Sequence, residues 1–130
     1  MNLLVPFFLF AILSVIVCDA CKIKLRVQSD TKIPFKIQIV VPSLNIKTEK
    51  TTFNAQGQEK NVVINGGNCS GKHWLFRTFR IGRDGNWELA SEEKGKFDGE
   101  GYMYSKIGDD LLPRISGRGG VLCSETLICG

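Results

Sequence analysis

Polar and apolar residues alternate along the first part of the chain in a way that is typical of β-strands. Charged or polar and apolar side chains alternate at every position of residues 22–28, which predicts a strand with one face in water and one face in the core. The apolar residues of segment 33–41 repeat this period of two, with Lys36 and Gln38 on the opposite face. Both segments are therefore predicted as half-buried strands.

The same pattern, divided by turn residues, continues to the end of the chain. Segments 44–53 and 59–64 predict a strand, turn and strand, and aromatic residues on both parities of 73–81 predict a central strand. Asp84-Gly85 predicts a hairpin turn before another strand. Three later strands are predicted at 101–107, 111–115 and 120–129, with turns at 108–110 and 116–119. The charged segment 92–100 is predicted to be an exposed loop or hairpin tip.

These elements together predict the fold class. No window of twelve residues shows the apolar stripe of an amphipathic helix. About seven to nine short strands with frequent turns predict an all-β domain, organised as a single antiparallel β-sandwich or a small barrel.

The first twenty residues predict export. The segment 3–17 is almost continuously apolar, but it is shorter than the roughly 20 residues that a membrane-spanning helix needs. The sequence Cys18-Asp19-Ala20 follows, with small residues at the positions that precede a signal-peptidase cut. We therefore predict a signal peptide at 1–20, cleaved after Ala20, and a secreted domain at 21–130 without a transmembrane segment. An uncleaved anchor is the alternative.

Composition limits the chain to one ordinary globular domain. It has 130 residues, of which 43% are hydrophobic and 23% are charged. Removal of residues 1–20 keeps all 17 Lys and Arg and loses one of the 13 Asp and Glu, so the formal charge rises from +4 to +5. This excess of positive charge is too small to identify a partner.

The four cysteines of the mature chain predict two disulfides, because exported domains fold in an oxidising compartment. In an extended strand, Cys123 and Cys129 would lie roughly 20 Å apart, too far for a disulfide. We therefore expect Cys21–Cys129 with Cys69–Cys123, or the swapped pairing Cys21–Cys123 with Cys69–Cys129. A Cys123–Cys129 bond would require a turn near Ser124.

A modification site and a catalytic residue are the next candidates. Asn68-Cys69-Ser70 is a glycosylation sequon, so Asn68 is a candidate acceptor. His73 is the only histidine, and with a carboxylate such as Glu88 it could serve a small secreted hydrolase of nuclease or glycosidase type. No G-x-S-x-G nucleophile motif occurs, and the acidic turns lack the spacing of a calcium loop. We therefore expect no cofactor and no metal, and we favour a protein that is not an enzyme.

Basic residues indicate a function more clearly than His73 and the carboxylates do. Lys22, Lys24 and Arg26 share one face of the first predicted strand, and pairing with the second strand would add Lys36 to a patch of four cations. Such a patch attracts anionic ligands. Arg77 and Arg80 alternate with aromatic residues, which would suit stacking on sugars or bases.

The sequence thus predicts a secreted, extracellular binding or interaction module. Its ligand is unassigned among an anionic glycan, a lipid headgroup and a protein, and nucleic acid is not expected. A small secreted hydrolase that uses His73 is the alternative.

Overall fold

The computed structural model describes residues 20–129, and this part of the chain is nearly all β. Strands hold 65% of it, it contains no α-helix, and the predicted all-β class with two disulfides is confirmed. None of its helical segments is long and apolar enough to cross a membrane. Most of the predicted signal peptide, residues 1–19, lies outside the described residues. The eight strands are β1 (Ala20–Ser29), β2 (Phe35–Val41), β3 (Ile46–Lys47), β4 (Thr51–Phe53), β5 (Glu59–Gly67), β6 (Trp74–Ile81), β7 (Trp87–Ile107) and β8 (Pro113–Ser124).

The strands form one eight-stranded sheet that curls into an open half-barrel. Its order is β3-β2-β6-β7-β1-β5, with β4 also paired to β2 and β8 also paired to β7. Neighbouring strands are antiparallel except for β1 and β7, which are parallel. A sandwich of two separate packed sheets is therefore not confirmed, although the predicted number of strands is.

The longest strand, β7, joins the two parts of the sheet. Its first part, 87–95, pairs with β6, whereas its second part pairs with β8 and, from Glu100 onward, with β1. The loop predicted at 92–100 is therefore wrong. Its charged side chains do not indicate a loop because Glu92 pairs across the strands with Arg77 at 2.8 Å. The turn predicted at 116–119 is also wrong, since these residues continue β8.

The second part of β7 approaches β8 very closely at an irregularity in their antiparallel pairing, and glycine makes this close contact possible. A Cβ atom added to Gly101 would overlap the carbonyl oxygen of Gly119. A Cβ on Gly99, whose φ is +97°, would meet the carbonyl oxygen of Gly120 at less than normal contact distance. The register between β7 and β8 shifts here, between Gly99 and Tyr102. This close contact between β7 and β8 therefore depends on residues without a side chain.

The inner face of the sheet encloses the apolar core. Trp74 and Phe76 of the centrally placed β6 pack edge-on against Phe97 of β7, with ring centroids 5.1 and 5.4 Å apart. All three side chains are fully buried, and the Trp74 indole N–H donates to the carbonyl oxygen of Cys69 at 2.7 Å. The alternation that predicted β1 also holds, because its apolar positions are buried and its charged positions are exposed.

Two of the predicted turns are confirmed. The chain reverses between β6 and β7 at residues 82–86, where the amide of Gly82 donates to the carbonyl oxygen of Asn86 at 2.8 Å. It reverses between β7 and β8 at 108–111, where the amide of Leu111 donates to the carbonyl oxygen of Gly108 at 2.9 Å. The Asp-Gly and Gly-Asp-Asp sequences thus have the turn structure that their composition predicted.

The disulfides are Cys21–Cys69 and Cys123–Cys129, so both predicted pairings are wrong. The extended-strand assumption fails because β8 ends at Ser124 and Glu125 adopts a φ of +52°. The chain turns back there and brings the Cα atoms of Cys123 and Cys129 to 6.6 Å. The Cys21–Cys69 bond is buried and fastens the start of β1 near the end of β5.

We predict that Gly101→Ala strongly destabilises the protein. The new methyl group would overlap backbone atoms of β8, which cannot move without breaking the strand pairing, so we expect a loss of roughly 3 kcal/mol. Urea unfolding followed by tryptophan fluorescence would measure it. Gly108→Ala is the matched control, because nothing lies within 4 Å of its added Cβ. Equal stability of the two variants would contradict the close contact between β7 and β8.

We also predict that the two disulfides contribute unequally to stability. The Cys21–Cys69 bond closes a loop with a sequence separation of 48, and Cys123–Cys129 closes one of only 6. In the chain-entropy model, replacement of each pair by alanine then costs about 4 and about 2 kcal/mol, respectively. Denaturant unfolding of the two double variants tests this order. A larger loss for the Cys123–Cys129 variant would refute the prediction.

Candidate functional site

Exposed cations of β1 lie next to exposed tyrosines of β7 on the outer face of the sheet. The parallel pairing sets Lys24 opposite Tyr102 and Arg26 opposite Tyr104. Alternation along both strands sends all four side chains, and that of Lys22, away from the core. We call these five residues, Lys22, Lys24, Arg26, Tyr102 and Tyr104, the basic tyrosine face.

The two tyrosine rings form a platform that rests on β8. Their centroids are 4.9 Å apart, their planes are inclined by 36°, and the residues are 43% and 40% exposed. A Cβ added to Gly119 would lie only 2.6 Å from the Tyr102 ring, and one on Gly117 would lie 3.5 Å from the Tyr104 ring. The rings therefore occupy space that side chains of β8 would otherwise fill, and they remain accessible to a ligand.

The guanidinium group of Arg26 is held in place before any ligand arrives. Its Cζ atom lies 5.2 Å from the centroid of the Tyr104 ring, within the range of a cation–π interaction. Its Nε donates a long hydrogen bond to Asn61 Oδ1 at 3.4 Å and lies 3.9 Å from Glu59 Oε2. These contacts orient Arg26 along the face and lower the entropy that binding would cost.

A row of three shallow depressions follows the basic tyrosine face. Their volumes are about 310, 300 and 160 Å³. Lys24 and Tyr102 line both the first and the second, and Arg26 and Tyr104 line both the second and the third. Because each shares residues with the next, they form one groove that extends roughly 20 Å along β1, from Lys22 to Gln28.

The charge of the face is mainly positive. Among the described residues, neither Lys22 nor Lys24 takes part in an ion pair within 4.0 Å. Glu100 lies opposite Lys22 in the β1–β7 register, and Glu59 lies near Arg26 at the other end. Lys24, the middle cation of β1, is therefore the one with no carboxylate opposite it, since its strand neighbours are Val63 and Tyr102.

The predicted patch of four cations is not formed, because Lys36 lies elsewhere. Strands β6 and β7 separate β2 from β1 in the sheet. The Nζ atom of Lys36 lies 4.6 Å from the centroid of the Trp87 ring, in the other part of the sheet. Of the four predicted cations, the three of β1 share one surface, and Lys106 of β7 lines its third depression with Arg26.

The predicted stacking surface around Arg77 and Arg80 is not formed either. Arg77 is paired with Glu92 at 2.8 Å and Arg80 with Glu88 at 3.0 Å, both across the β6–β7 pair. The nearby aromatic rings of Trp74 and Phe76 are fully buried and unavailable for a ligand.

The residues of the hydrolase alternative are far apart. Glu88 lies opposite Arg80, which is seven residues from His73 along β6, or about 23 Å. The Nε2 atom of His73 is instead 4.0 Å from Glu125, whose pKa is lowered chiefly by its hydrogen bond to the Lys96 ammonium. Residues 20–129 contain no group of three or more side chains that could hold a metal ion.

The sequon lies in an exposed turn after β5. Asn68 is exposed with a φ of +56°, the next residue is the buried half-cystine Cys69, and the Ser70 hydroxyl donates to Asp98 Oδ2 at 3.0 Å. Glycosylation of Asn68 stays a prediction.

The tyrosines were missed at the level of the sequence, although a signal was present. Tyr102 and Tyr104 flank Met103 in a segment predicted as a strand, so their shared outer face could have been inferred. Their position beside β1 could not, because it depends on a parallel pairing between distant segments.

Comparisons with known proteins identify no family. No family model matches the sequence, and no curated protein matches it. A solved structure described as "Trapped Toxin" is similar over 76% of this chain, with 9% sequence identity and a TM-score of 0.32. This chain spans 23% of the length of that structure, and a likeness at this level supports no conclusion about function.

Proposed function

We propose that the protein is an extracellular binding module that holds an acidic carbohydrate on the basic tyrosine face. The observation that carries the proposal is the pairing of an exposed cation with a half-exposed aromatic ring at two successive positions, Lys24 with Tyr102 and Arg26 with Tyr104. A cation recognises the acid group of a sugar, and an aromatic ring packs against the apolar C–H face of a pyranose.

Charge spacing supports an anionic ligand. Successive outward residues of a strand lie roughly 6.6 Å apart, which is less than the screening length of about 8 Å at physiological salt. The fields of Lys22, Lys24 and Arg26 therefore add, and they raise the local concentration of an acidic ligand.

The shape of the face favours carbohydrate over the other two ligand classes. The groove is shallow and the tyrosine rings lie against β8, so they do not project as a wedge into a bilayer. Of the residues that line the central depression, Val63 is the one exposed aliphatic side chain, at 55%, which is little for a protein interface core.

Two properties support an extracellular setting. The chain carries two disulfides, which persist in oxidising compartments, and its first twenty residues have the pattern of a signal peptide. The hydrolase alternative gains no such support, because His73 and Glu88 are not brought together.

We predict that binding to a heparin column depends on the three cations of β1. The variant Lys22→Gln, Lys24→Gln, Arg26→Gln should elute at clearly lower salt than the native protein, because it loses three cations that would contact the sulfate and carboxylate groups of heparin. The elution salt concentration is the measurement.

The matched control removes the same charge from other surfaces. Lys32, Lys47 and Arg83 are exposed and form no ion pair within 4.0 Å among the described residues, so their replacement by Gln changes the net charge equally. This control should elute close to the native protein. If both variants shift by the same amount, net charge alone explains the retention and the proposed site is wrong.

A further inference from the structure

The basic tyrosine face presents two parallel rows of different chemistry. Lys22, Lys24 and Arg26 form one row on β1, and Tyr102 and Tyr104 form the other on β7. Neighbouring strands lie about 4.8 Å apart, and the repeat along each row is about 6.6 Å. An extended ligand that follows β1 would thus meet a positive charge on one side and an aromatic ring on the other side, at regular intervals.

We infer that the ligand is a linear acidic polysaccharide that lies along β1, with pyranose faces on the tyrosine platform and acid groups on the cations. This inference rests on the proposed function and adds the geometry and chemistry of the bound chain. A uronate or sulfate-bearing sugar supplies both a ring face and an acid group, so a sugar residue bound beside Lys24 and Tyr102, or beside Arg26 and Tyr104, uses both rows.

The open ends of the groove support a chain over a single small molecule. The groove extends roughly 20 Å, and its three depressions are shallow and joined through shared residues. A small-molecule site usually encloses most of its ligand, whereas this face would cover only one side of it. Affinity must therefore come from several weak contacts in a row.

The charge of the groove changes along its length. Glu100 stands opposite Lys22, and Glu59 lies 3.9 Å from Arg26, so both cations are partly offset, whereas Lys24 stands opposite a tyrosine. The acid groups of the bound chain therefore centre on Lys24. The carboxylate of Glu100 repels an acid group that extends toward Lys22.

Three probes separate the two rows. A sulfated heparin hexasaccharide offers rings and acid groups, inorganic polyphosphate offers acid groups alone, and neutral cellohexaose offers rings alone. We expect the native protein to bind the hexasaccharide at least tenfold more tightly than either of the others at the same ionic strength. Titration calorimetry measures the three affinities.

Variants then assign each contact to its row. The double variant Tyr102→Ala, Tyr104→Ala should bind the hexasaccharide about tenfold more weakly, whereas its affinity for polyphosphate should fall by no more than about threefold, through the lost contact between Tyr104 and Arg26. Retained polyphosphate binding shows that the fold and the cations are intact. The variant Tyr102→Phe, Tyr104→Phe keeps the rings and should stay within about threefold of the native affinity for the hexasaccharide.

Two results would overturn the inference alone: equal affinity for hexasaccharide and polyphosphate, and no effect of the alanine variant. Tighter binding of single-stranded oligothymidine or of anionic phosphatidylserine vesicles than of the hexasaccharide would overturn the carbohydrate ligand as well. Failure of the proposed function is different, because then the triple Gln variant of β1 would still bind the hexasaccharide like the native protein.

We predict that Glu100→Gln strengthens hexasaccharide binding by about two- to fivefold, because it removes a negative charge beside Lys22. Calorimetry at two salt concentrations tests this, and the gain should shrink at the higher one. Glu93→Gln, a change of equal charge on the part of β7 that pairs with β6, is the control and should have no effect. A weaker or unchanged affinity in Glu100→Gln would refute the predicted position of the acid groups.

Discussion

The close approach of two backbones, at Gly99 and Gly101 of β7 and Gly119 and Gly120 of β8, is the constraint on which the rest of the structure depends. A strand of 21 residues would normally keep one set of neighbours, but β7 leaves β6 and continues between β8 and β1. Because the residues at this close contact have no side chains, the pairing of β7 with β8 can shift its register and the sheet can curl. The curled sheet then encloses one core instead of splitting into two layers.

The candidate site is a direct product of this arrangement. Because β7 begins to pair with β1 at Glu100, within the close contact with β8, the residues that follow, Tyr102 and Tyr104, come to lie beside Lys24 and Arg26. Glycines of β8 also leave the space in which the two rings rest. Glycine therefore has two roles here: it allows the close contact between β7 and β8, and it leaves space for the rings of Tyr102 and Tyr104.

Local features of this protein could be predicted from sequence, and features that depend on distant pairing could not. Alternation predicted the buried and exposed faces of β1, and the Asp-Gly turn was predicted at its correct place. The prediction that Lys36 joins the cations of β1 was wrong because nothing in the sequence shows that two strands separate β2 from β1. The charged part of β7 was expected to be a loop because of its charges. It forms a strand because charges there pair across the strands, as Glu92 does with Arg77. The cysteine pairing was wrong because one residue, Glu125, reverses the chain.

The parallel pairing of β1 with β7 also joins segments that lie far apart in the sequence. Lys22 pairs with Glu100, so β1 finds this neighbour only after roughly 80 further residues have been made. Its antiparallel neighbour β5 is available much earlier, and the Cys21–Cys69 bond joins these two strands without the last third of the chain. Pairings of such long sequence separation are slow to form. The basic tyrosine face, which needs β7, thus depends on a later pairing than the one between β1 and β5 that the Cys21–Cys69 bond fastens.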